Sequence, residues 1–179
     1  MKRVIILRHA KTEPGGPGQQ DSDRHLIEQG RKAAAEMGAY MKLKGYVPEW
    51  VSCSAATRTM ETCGILLPAI RENIPVVIRP DLYLAEASHL LSVIRSSDDN
   101  LGTVMVIAHN PGVAVLAFEL AAAPVDAATE ARHKRMREKF STCSLVVLDF
   151  SAKSWTSIRK GKGVLADFMR PRDLERETD

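Results

Sequence analysis

An arginine and a histidine stand side by side where a predicted strand meets solvent. Residues 4–7 are four consecutive branched apolar residues, which predicts a buried strand, and Arg8 and His9 follow them directly. Ligands of open α/β sheets bind at the carboxyl ends of the strands, so these two side chains could act on a ligand. An Arg-His pair taken alone more often begins a surface loop, so partners elsewhere in the chain decide between the two interpretations.

Two further predicted strands end in residues of the same kinds. Arg58 opens the helix that follows the strand at residues 50–54, and His109 follows the apolar strand at residues 103–108. The carboxyl ends of parallel strands share one edge of a sheet, so we expect the three junctions to converge. Each of the two guanidinium groups can donate a pair of hydrogen bonds to phosphoryl oxygens. The two imidazoles can supply a nucleophile and a hydrogen-bond donor. The set indicates phosphoryl transfer.

We expect neither a metal nor a cofactor at this site. The junctions carry no carboxylate cluster for magnesium, and two histidines without a third ligand make a poor zinc site. The Gly- and Pro-rich stretch at residues 13–18 forms a loop that lacks the pattern of a nucleotide P-loop. Four residues separate Cys53 from Arg58, whereas cysteine-dependent phosphatases need five, so a cysteine nucleophile is not expected.

Length and composition fit one domain, residues 1–179, in a soluble cytoplasmic protein. The chain is 45% hydrophobic, and its 25 cations and 22 anions are scattered, which does not favour nucleic-acid binding. The first apolar run stops at Leu7, too short for a signal peptide, and no stretch is long enough to span a membrane. Three cysteines without a C-x-x-C pair are expected to be buried free thiols: Cys53, Cys63 and Cys143.

Strands alternate with helices along the chain, which predicts an α/β fold: a three-layer α/β/α sandwich with a mostly parallel central sheet. The predicted strands are residues 4–7, 50–54, 75–79, 103–108 and a closing hairpin of 144–150 with 154–159. The predicted helices are residues 26–45, 56–70, 88–95, 113–122, 127–139 and 164–174.

The basic segment at residues 132–139 carries five cations on the predicted fifth helix. A solvated helix face is favoured over a docking surface for an acidic partner, because runs of charge usually lie in water. Three histidines that no apolar strand delivers are expected at the surface: His25, His89 and His133. The two tryptophans, Trp50 and Trp155, are expected to pack in the interior.

Three motifs resemble the histidine phosphatase superfamily, also called phosphoglycerate mutase-like: Leu-Arg-His-Ala-Lys-Thr at 7–12, Ser-Cys-Ser-Ala-Ala-Thr-Arg-Thr-Met-Glu-Thr at 52–62 and Val-Ile-Ala-His-Asn-Pro at 106–111. Ala10 stands where the family motif Arg-His-Gly has glycine, a variation similar to the small SixA-type phosphohistidine phosphatases. Further SixA-like segments extend the resemblance over nearly the whole chain: 23–26 with Gly30, 82–85, 139–142 and 168–174.

The resemblance implies a ping-pong phosphatase in which His9 attacks phosphorus in line and is transiently phosphorylated. Arg8 and Arg58 would hold the phosphoryl oxygens, and His109 would donate to the charge that develops on them. Neighbouring arginines disfavour the protonated form of a histidine, so His9 should keep a free lone pair at neutral pH.

The roles of two further residues stay open at this stage. Glu86 lies in the region where larger family members carry a general acid, and it is either that acid or an exposed loop carboxylate. Arg24 precedes the first helix and is either a third cation of the phosphate site or a surface residue. Thr12 and Asn110 either contact phosphate or cap turns.

The leading functional hypothesis is SixA-like removal of phosphate from histidine in a signalling or phosphotransfer protein. Short loops, with a modest lid at about residues 123–142, leave an open site that suits a protein substrate. Hydrolysis of a small phosphoester is the alternative, and it would need Glu86 as the acid. A phosphate-binding module without catalysis is an alternative of another class, but such a module has no need to keep a nucleophile.

Overall fold

The structure, a computed structural model, describes residues 1–174; the last five positions of the predicted domain lie outside the described residues. The strands are β1 Lys2–Arg8, β2 Trp50–Ser54, β3 Val76–Arg79, β4 Thr103–Ala108, β5 Leu145–Phe150 and β6 Val164–Met169. The helices are α1 Glu28–Leu43, α2 Thr57–Ile70, α3 Ala87–Arg95, α4 Gly112–Leu120, α5 Ala127–Glu138 and α6 Pro171–Leu174.

The strands form one sheet in the order β3-β2-β4-β1-β5-β6. The pairs β1 with β4, β2 with β4 and β2 with β3 are parallel, whereas β5 runs antiparallel to β1 and to β6. The predicted, mostly parallel sheet is therefore confirmed. Arg8 pairs with Ala108 and Cys53 pairs with Ile107, so β1, β2 and β4 end level with one another.

Helices cover both faces of the sheet, which makes the predicted three layers. On one face, α1 and α2 pack against side chains such as Ile5 and Ile107; on the other, α3 and α4 pack against Ile6 and Val106. Alternate residues of each central strand enter opposite cores, which explains why β1 and β4 read as continuous apolar runs. The three cysteines are buried free thiols, as expected.

The end of the chain differs from the prediction in two places. Residues 154–159, predicted as a strand, contain a 3-10 turn at Trp155–Ser157, and residues 164–174, predicted as a helix, form β6 and the short α6. The turn places Trp155 and Ile158 on the same side, where both are fully buried; a strand would point them to opposite faces. Glycines at 161 and 163 then allow the chain to turn, and the edge of β5 pairs with β6 instead.

The basic segment at residues 132–139 is partly solvated: three of its five cations are exposed, and Arg132 and Arg135 are half-buried. Lys134, Arg137 and Lys139 are exposed, but His133 is buried together with Met136 against the rest of the domain. The expectation that His133 lies at the surface is wrong, because it shares the inward side of the helix with Met136 at i+3. Within residues 1–174, none of the helices has the length and apolar composition that crossing a bilayer needs.

Trp155→Ala should lower the free energy of unfolding by about 3–5 kcal/mol, because it leaves a cavity in the core. It also removes the indole N–H that donates to the Leu101 carbonyl over 3.0 Å. Urea denaturation measures the change. Phe118→Ala is the matched control: its ring is 41% exposed on α4, and we expect a loss nearer to about 1 kcal/mol. Equal losses in the two variants would contradict the packing role of Trp155.

Candidate active site

The parallel register of β1 and β4 brings two histidines together. Arg8 pairs with Ala108, so the next residue on each strand, His9 and His109, leaves the sheet at the same point. The backbone N–H of His9 donates to the Ala108 carbonyl over 3.1 Å, and the centres of the two imidazole rings lie 5.2 Å apart. Both rings are buried. The predicted convergence of these two junctions is observed.

One hydrogen bond determines which nitrogen of His9 can react. Nδ1 lies 2.8 Å from the carbonyl oxygen of Ala10, and a carbonyl only accepts, so Nδ1 carries the proton and Nε2 has the free lone pair. Burial lowers the pKa of His9 to about 4, and the charges of nearby arginines also lower it. The hydrogen bond to Ala10 acts in the opposite direction. His9 is therefore neutral at pH 7. The arginines lower the pKa of His9 as expected, but burial is the larger cause.

His109 is held by a residue that the sequence reasoning missed. Its Nε2 lies 2.7 Å from the hydroxyl oxygen of Ser54, the last residue of the neighbouring strand β2, and the Tyr83 ring meets it edge-on at 5.4 Å between ring centres. Burial lowers the pKa of His109 to about 3, with further contributions from the neighbouring His9 and Arg58. Its Nδ1 is buried and makes no hydrogen bond with the described residues. The hydrogen-bonding capacity of this buried nitrogen is therefore not satisfied within residues 1–174.

Arg58 comes from the first turn of α2 and is 3% exposed. Its Nη2 donates to the Oδ2 atom of Asp21 over 2.9 Å, and its Nη1 donates to the Asp21 backbone carbonyl. The guanidinium carbon lies 5.7 Å from the centre of the Tyr83 ring. The buried cation thus faces a carboxylate from the loop before α1.

Arg24 joins the same cluster. Its Nη1 donates to Asp21 Oδ1 over 2.9 Å, its Nη2 donates to the Thr12 hydroxyl over 2.6 Å, and its Nε donates to the Glu13 carbonyl over 2.9 Å. Arg24 thus lies in the cluster beside His9 and lines the same cleft, and its role in phosphate binding stays a prediction. Thr12 supports Arg24 there.

Arg8 ties the site to the chain segment that enters β5. Its Nη1 donates to the Phe140 carbonyl over 2.8 Å, and the Asn110 amide nitrogen lies 3.4 Å from the same oxygen. The backbone N–H of Cys143 donates to the His9 carbonyl over 2.9 Å. Burial lowers the pKa of Arg8, and its Nε has no hydrogen-bond partner among residues 1–174. The end of the predicted lid at 123–142 thus reaches the site, whereas α5 packs beside β6.

An open cleft of about 530 Å³ lies in front of His9. Its lining includes four cations and one anion: Arg8, Lys11, Arg24, Arg58 and Asp21. His109 is 1% exposed and is not one of the residues that line the cleft, although its ring centre lies 5.2 Å from that of His9. A neutral imidazole facing a cleft of net positive charge can attack an anionic electrophile whose oxygens the cations hold.

The structure does not bring Glu86 into the lining of the cleft. Glu86 is exposed and directly precedes α3. Its loop lies close to the start of α4: a Cβ atom on Gly112 would come within 2.0 Å of the Ala85 carbonyl oxygen, so only glycine fits there. That loop brings Tyr83 and Leu84 to the cluster and the cleft. A catalytic role for Glu86 stays a prediction.

The sequence reasoning also missed Asp21 and Tyr83. The Tyr83 hydroxyl donates to Asp21 Oδ2 over 2.6 Å, so the carboxylate receives hydrogen bonds from the phenol and from both guanidinium groups. These bonds hold the pKa of Asp21 well below its usual range. Both residues lie in loops without hydrophobic periodicity, and no local signal links them. Asp21 stands three residues before Arg24, which is the one spacing that could have suggested a pair.

Comparison with known proteins places this site in a family context. A family model described as histidine phosphatase superfamily (branch 1) matches residues 4–89. An uncharacterized protein of Mycobacterium tuberculosis is 30% identical over 167 residues, which is 93% of this chain and 100% of that protein.

Two solved structures are similar over almost their whole length. The crystal structure of a candidate phosphohistidine phosphatase SixA from Agrobacterium tumefaciens is 27% identical, covers 95% of this chain and 98% of its own, and has a TM-score of 0.75. A protein histidine phosphatase SixA complexed with tungstate has the same TM-score at 20% identity, with 96% of this chain and 99% of that chain covered.

The two site histidines should stay neutral from about pH 8 to about pH 5, because their lowered pKa values lie below this range. NMR of the ring nitrogens against pH measures this, with His25 as the internal comparison. A hydrogen bond to Glu61 raises the pKa of the exposed His25, so its ring should gain a proton within the range. A protonated His9 at pH 6 or above would contradict the geometry.

Proposed function

Because the chain belongs to the histidine phosphatase superfamily, and within it to the SixA type, we propose that it hydrolyses phosphohistidine on a protein through a phosphorylated His9. Its phosphoglycerate mutase-like sandwich places His9 and His109 together at the end of two paired strands. One observation carries the proposal: the Nε2 lone pair of a neutral, buried His9 faces a cleft lined by four cations.

In the first step, His9 Nε2 attacks phosphorus in line as the bond between phosphorus and the leaving nitrogen breaks. Arg8 and Arg58 hold the phosphoryl oxygens, and Arg24 adds a third guanidinium. The leaving imidazole takes its proton from solvent. Water then attacks the phosphorus of phosphorylated His9, which releases inorganic phosphate and returns the neutral imidazole.

His109 donates to the charge that develops on the phosphoryl oxygens. The Ala56 backbone N–H lies 3.5 Å from the Ser54 hydroxyl oxygen, which leaves the hydroxyl proton free to point at His109 Nε2. With Nε2 accepting, the ring proton lies on Nδ1, the buried nitrogen without a partner. Ser54 thus fixes the tautomer of the neutral imidazole, so that Nδ1 is the nitrogen that donates to the reacting group.

The charges around the cleft support a phosphorus–nitrogen bond as the one that is cleaved. An alkoxide leaving group needs a proton from an acid, but the carboxyl group that lines the cleft, Asp21, is ionised because its pKa is held low. Glu86 lies outside the lining. An imidazole leaving group needs little help, so this cleft fits phosphohistidine better than a phosphoester. The cations supply the charge stabilisation that a metal gives elsewhere, so we propose a metal-independent reaction.

The surroundings of the cleft fit a phosphorylated protein as partner. The cleft is open, and the end of the segment at 123–142 borders it without closing over it. A histidine on the surface of a folded protein can reach an open site. Buried free thiols are typical of a reducing compartment, so we place the reaction in the cytoplasm.

His9 should carry acid-labile, hydroxylamine-sensitive phosphate when the protein is mixed with a phosphorylated histidine-containing carrier. The bond forms at His9 Nε2, so His9→Ala should lose the label entirely. His25→Ala is the matched control, since this exposed histidine lies outside the cleft lining, and it should keep the label. Rapid-quench labelling measures both. A labelled His9→Ala protein would contradict the assignment of the nucleophile.

Glu86→Gln should change turnover of phosphohistidine by less than about threefold, because an imidazole leaving group needs little proton donation. The same variant is assayed on an aryl phosphate, and the wild type should prefer the phosphohistidine substrate. A loss of about a hundredfold, the contribution of a general acid, would show that Glu86 acts as the acid and favour a phosphoester substrate.

A further inference from the structure

The Asp21 carboxylate occupies the hydrogen-bond donors that a phosphoryl group would need. Arg24 Nη1 donates to Oδ1, whereas Arg58 Nη2 and the Tyr83 hydroxyl donate to Oδ2, all over 2.6 to 2.9 Å. We call the guanidinium groups of Arg24 and Arg58 the arginine clamp. Carboxylate and phosphoryl oxygens match a guanidinium fork in the same way, so the two anions compete for one set of donors.

The clamp arginines have supports that do not depend on the Asp21 side chain. Arg24 also donates to the Glu13 carbonyl and to the Thr12 hydroxyl. Arg58 is fixed by its buried position in the first turn of α2 and donates from Nη1 to the backbone of Asp21. Removal of the carboxylate therefore leaves the clamp in place.

Hydrogen bonds and ion pairs hold the Asp21 side chain in place, and burial does not. Residues 14–21 are exposed throughout, and the 3-10 turn Asp21–Asp23 buries none of its residues. The Asp21 side chain is 47% exposed, so it can rotate into water without opening the core. The contacts of the Asp21 carboxylate with the site are polar, and another anion can form the same contacts.

We propose that Asp21 is an internal competitor for the arginine clamp, and that phosphoryl groups bind by displacing its carboxylate. This inference rests on the proposed function, because it takes the clamp as the phosphate site. The exchange conserves hydrogen bonds. The clamp donors that bound the Asp21 carboxylate bind the phosphoryl oxygens instead, and the carboxylate forms hydrogen bonds with water.

Displacement determines which anions the site accepts. A ligand must bind the clamp better than a carboxylate already in place, which favours a doubly charged phosphoryl group over singly charged anions. It also weakens the binding of inorganic phosphate, the product, in a cleft whose four cations would otherwise retain it. Asp21 is thus a specificity-determining residue that touches the clamp and takes no part in bond cleavage.

Inorganic phosphate binding, measured by isothermal titration calorimetry, tests the proposal by the sign of the change. Asp21→Asn and Asp21→Ser should bind phosphate roughly 5- to 20-fold more tightly than the wild type, since the competing state is lost. Asp23→Asn is the matched control: it removes the same charge from the same turn, but Asp23 does not line the cleft. It should change the affinity by less than about twofold.

Weaker or unchanged binding by both Asp21 variants, including no binding at millimolar phosphate, overturns the inference and would make Asp21 a support for the clamp. An equal gain in Asp23→Asn also overturns it, because the effect would then come from overall charge. The proposed function is tested apart from this by His9 labelling. Tighter phosphate binding in the Asp21 variants without label on His9 would refute the chemistry and leave the competitor in place.

Discussion

The ladder of hydrogen bonds between β1 and β4 determines the site. It pairs Arg8 with Ala108, and it therefore releases His9 and His109 from the sheet at the same level, with ring centres 5.2 Å apart. A slip by one residue would turn one of the two side chains to the other face of the sheet. The apolar side chains of both strands, buried on both faces, resist such a slip. The core of the protein thus fixes the position of its reactive groups.

The same placement sets the electrostatics. Rings at the end of a buried strand lose contact with water, and this desolvation is the main reason that the pKa values of His9 and His109 are low. The arginines add to the effect and provide the oxygen-binding groups. A cluster of cations in one cleft repels itself, and Asp21 reduces that repulsion while no substrate is bound. Nucleophile, clamp and carboxylate therefore form one balanced set of charges.

Sequence reasoning predicted most of the fold and part of the site for identifiable physical reasons. Trp50–Ser54 is a short β-prone segment and Thr103–Ala108 is a short apolar run, and the bounds of both strands agree with the prediction. Residues 164–169 are mostly apolar, which also fits a buried helix, and in the fold they pair with the edge of β5 as a strand. His9 and His109 follow strands, so topology alone predicts their meeting. Asp21 and Tyr83 lie in loops, and their contact depends on loop paths that no local pattern encodes.

The direction of β5 has a consequence for how proteins of this architecture can diverge. Because β5 is antiparallel to β1, β5 begins at the edge of the sheet where β1 ends. The backbone N–H of Cys143, just before β5, donates to the His9 carbonyl at this edge. The segment between α4 and β5 therefore supplies no reacting side chain, and only its end, at residues 140–143, contacts the site. A longer segment between α4 and β5 would cover the cleft without moving a strand. The size of the substrate that fits the cleft and the chemistry performed on it can therefore evolve separately.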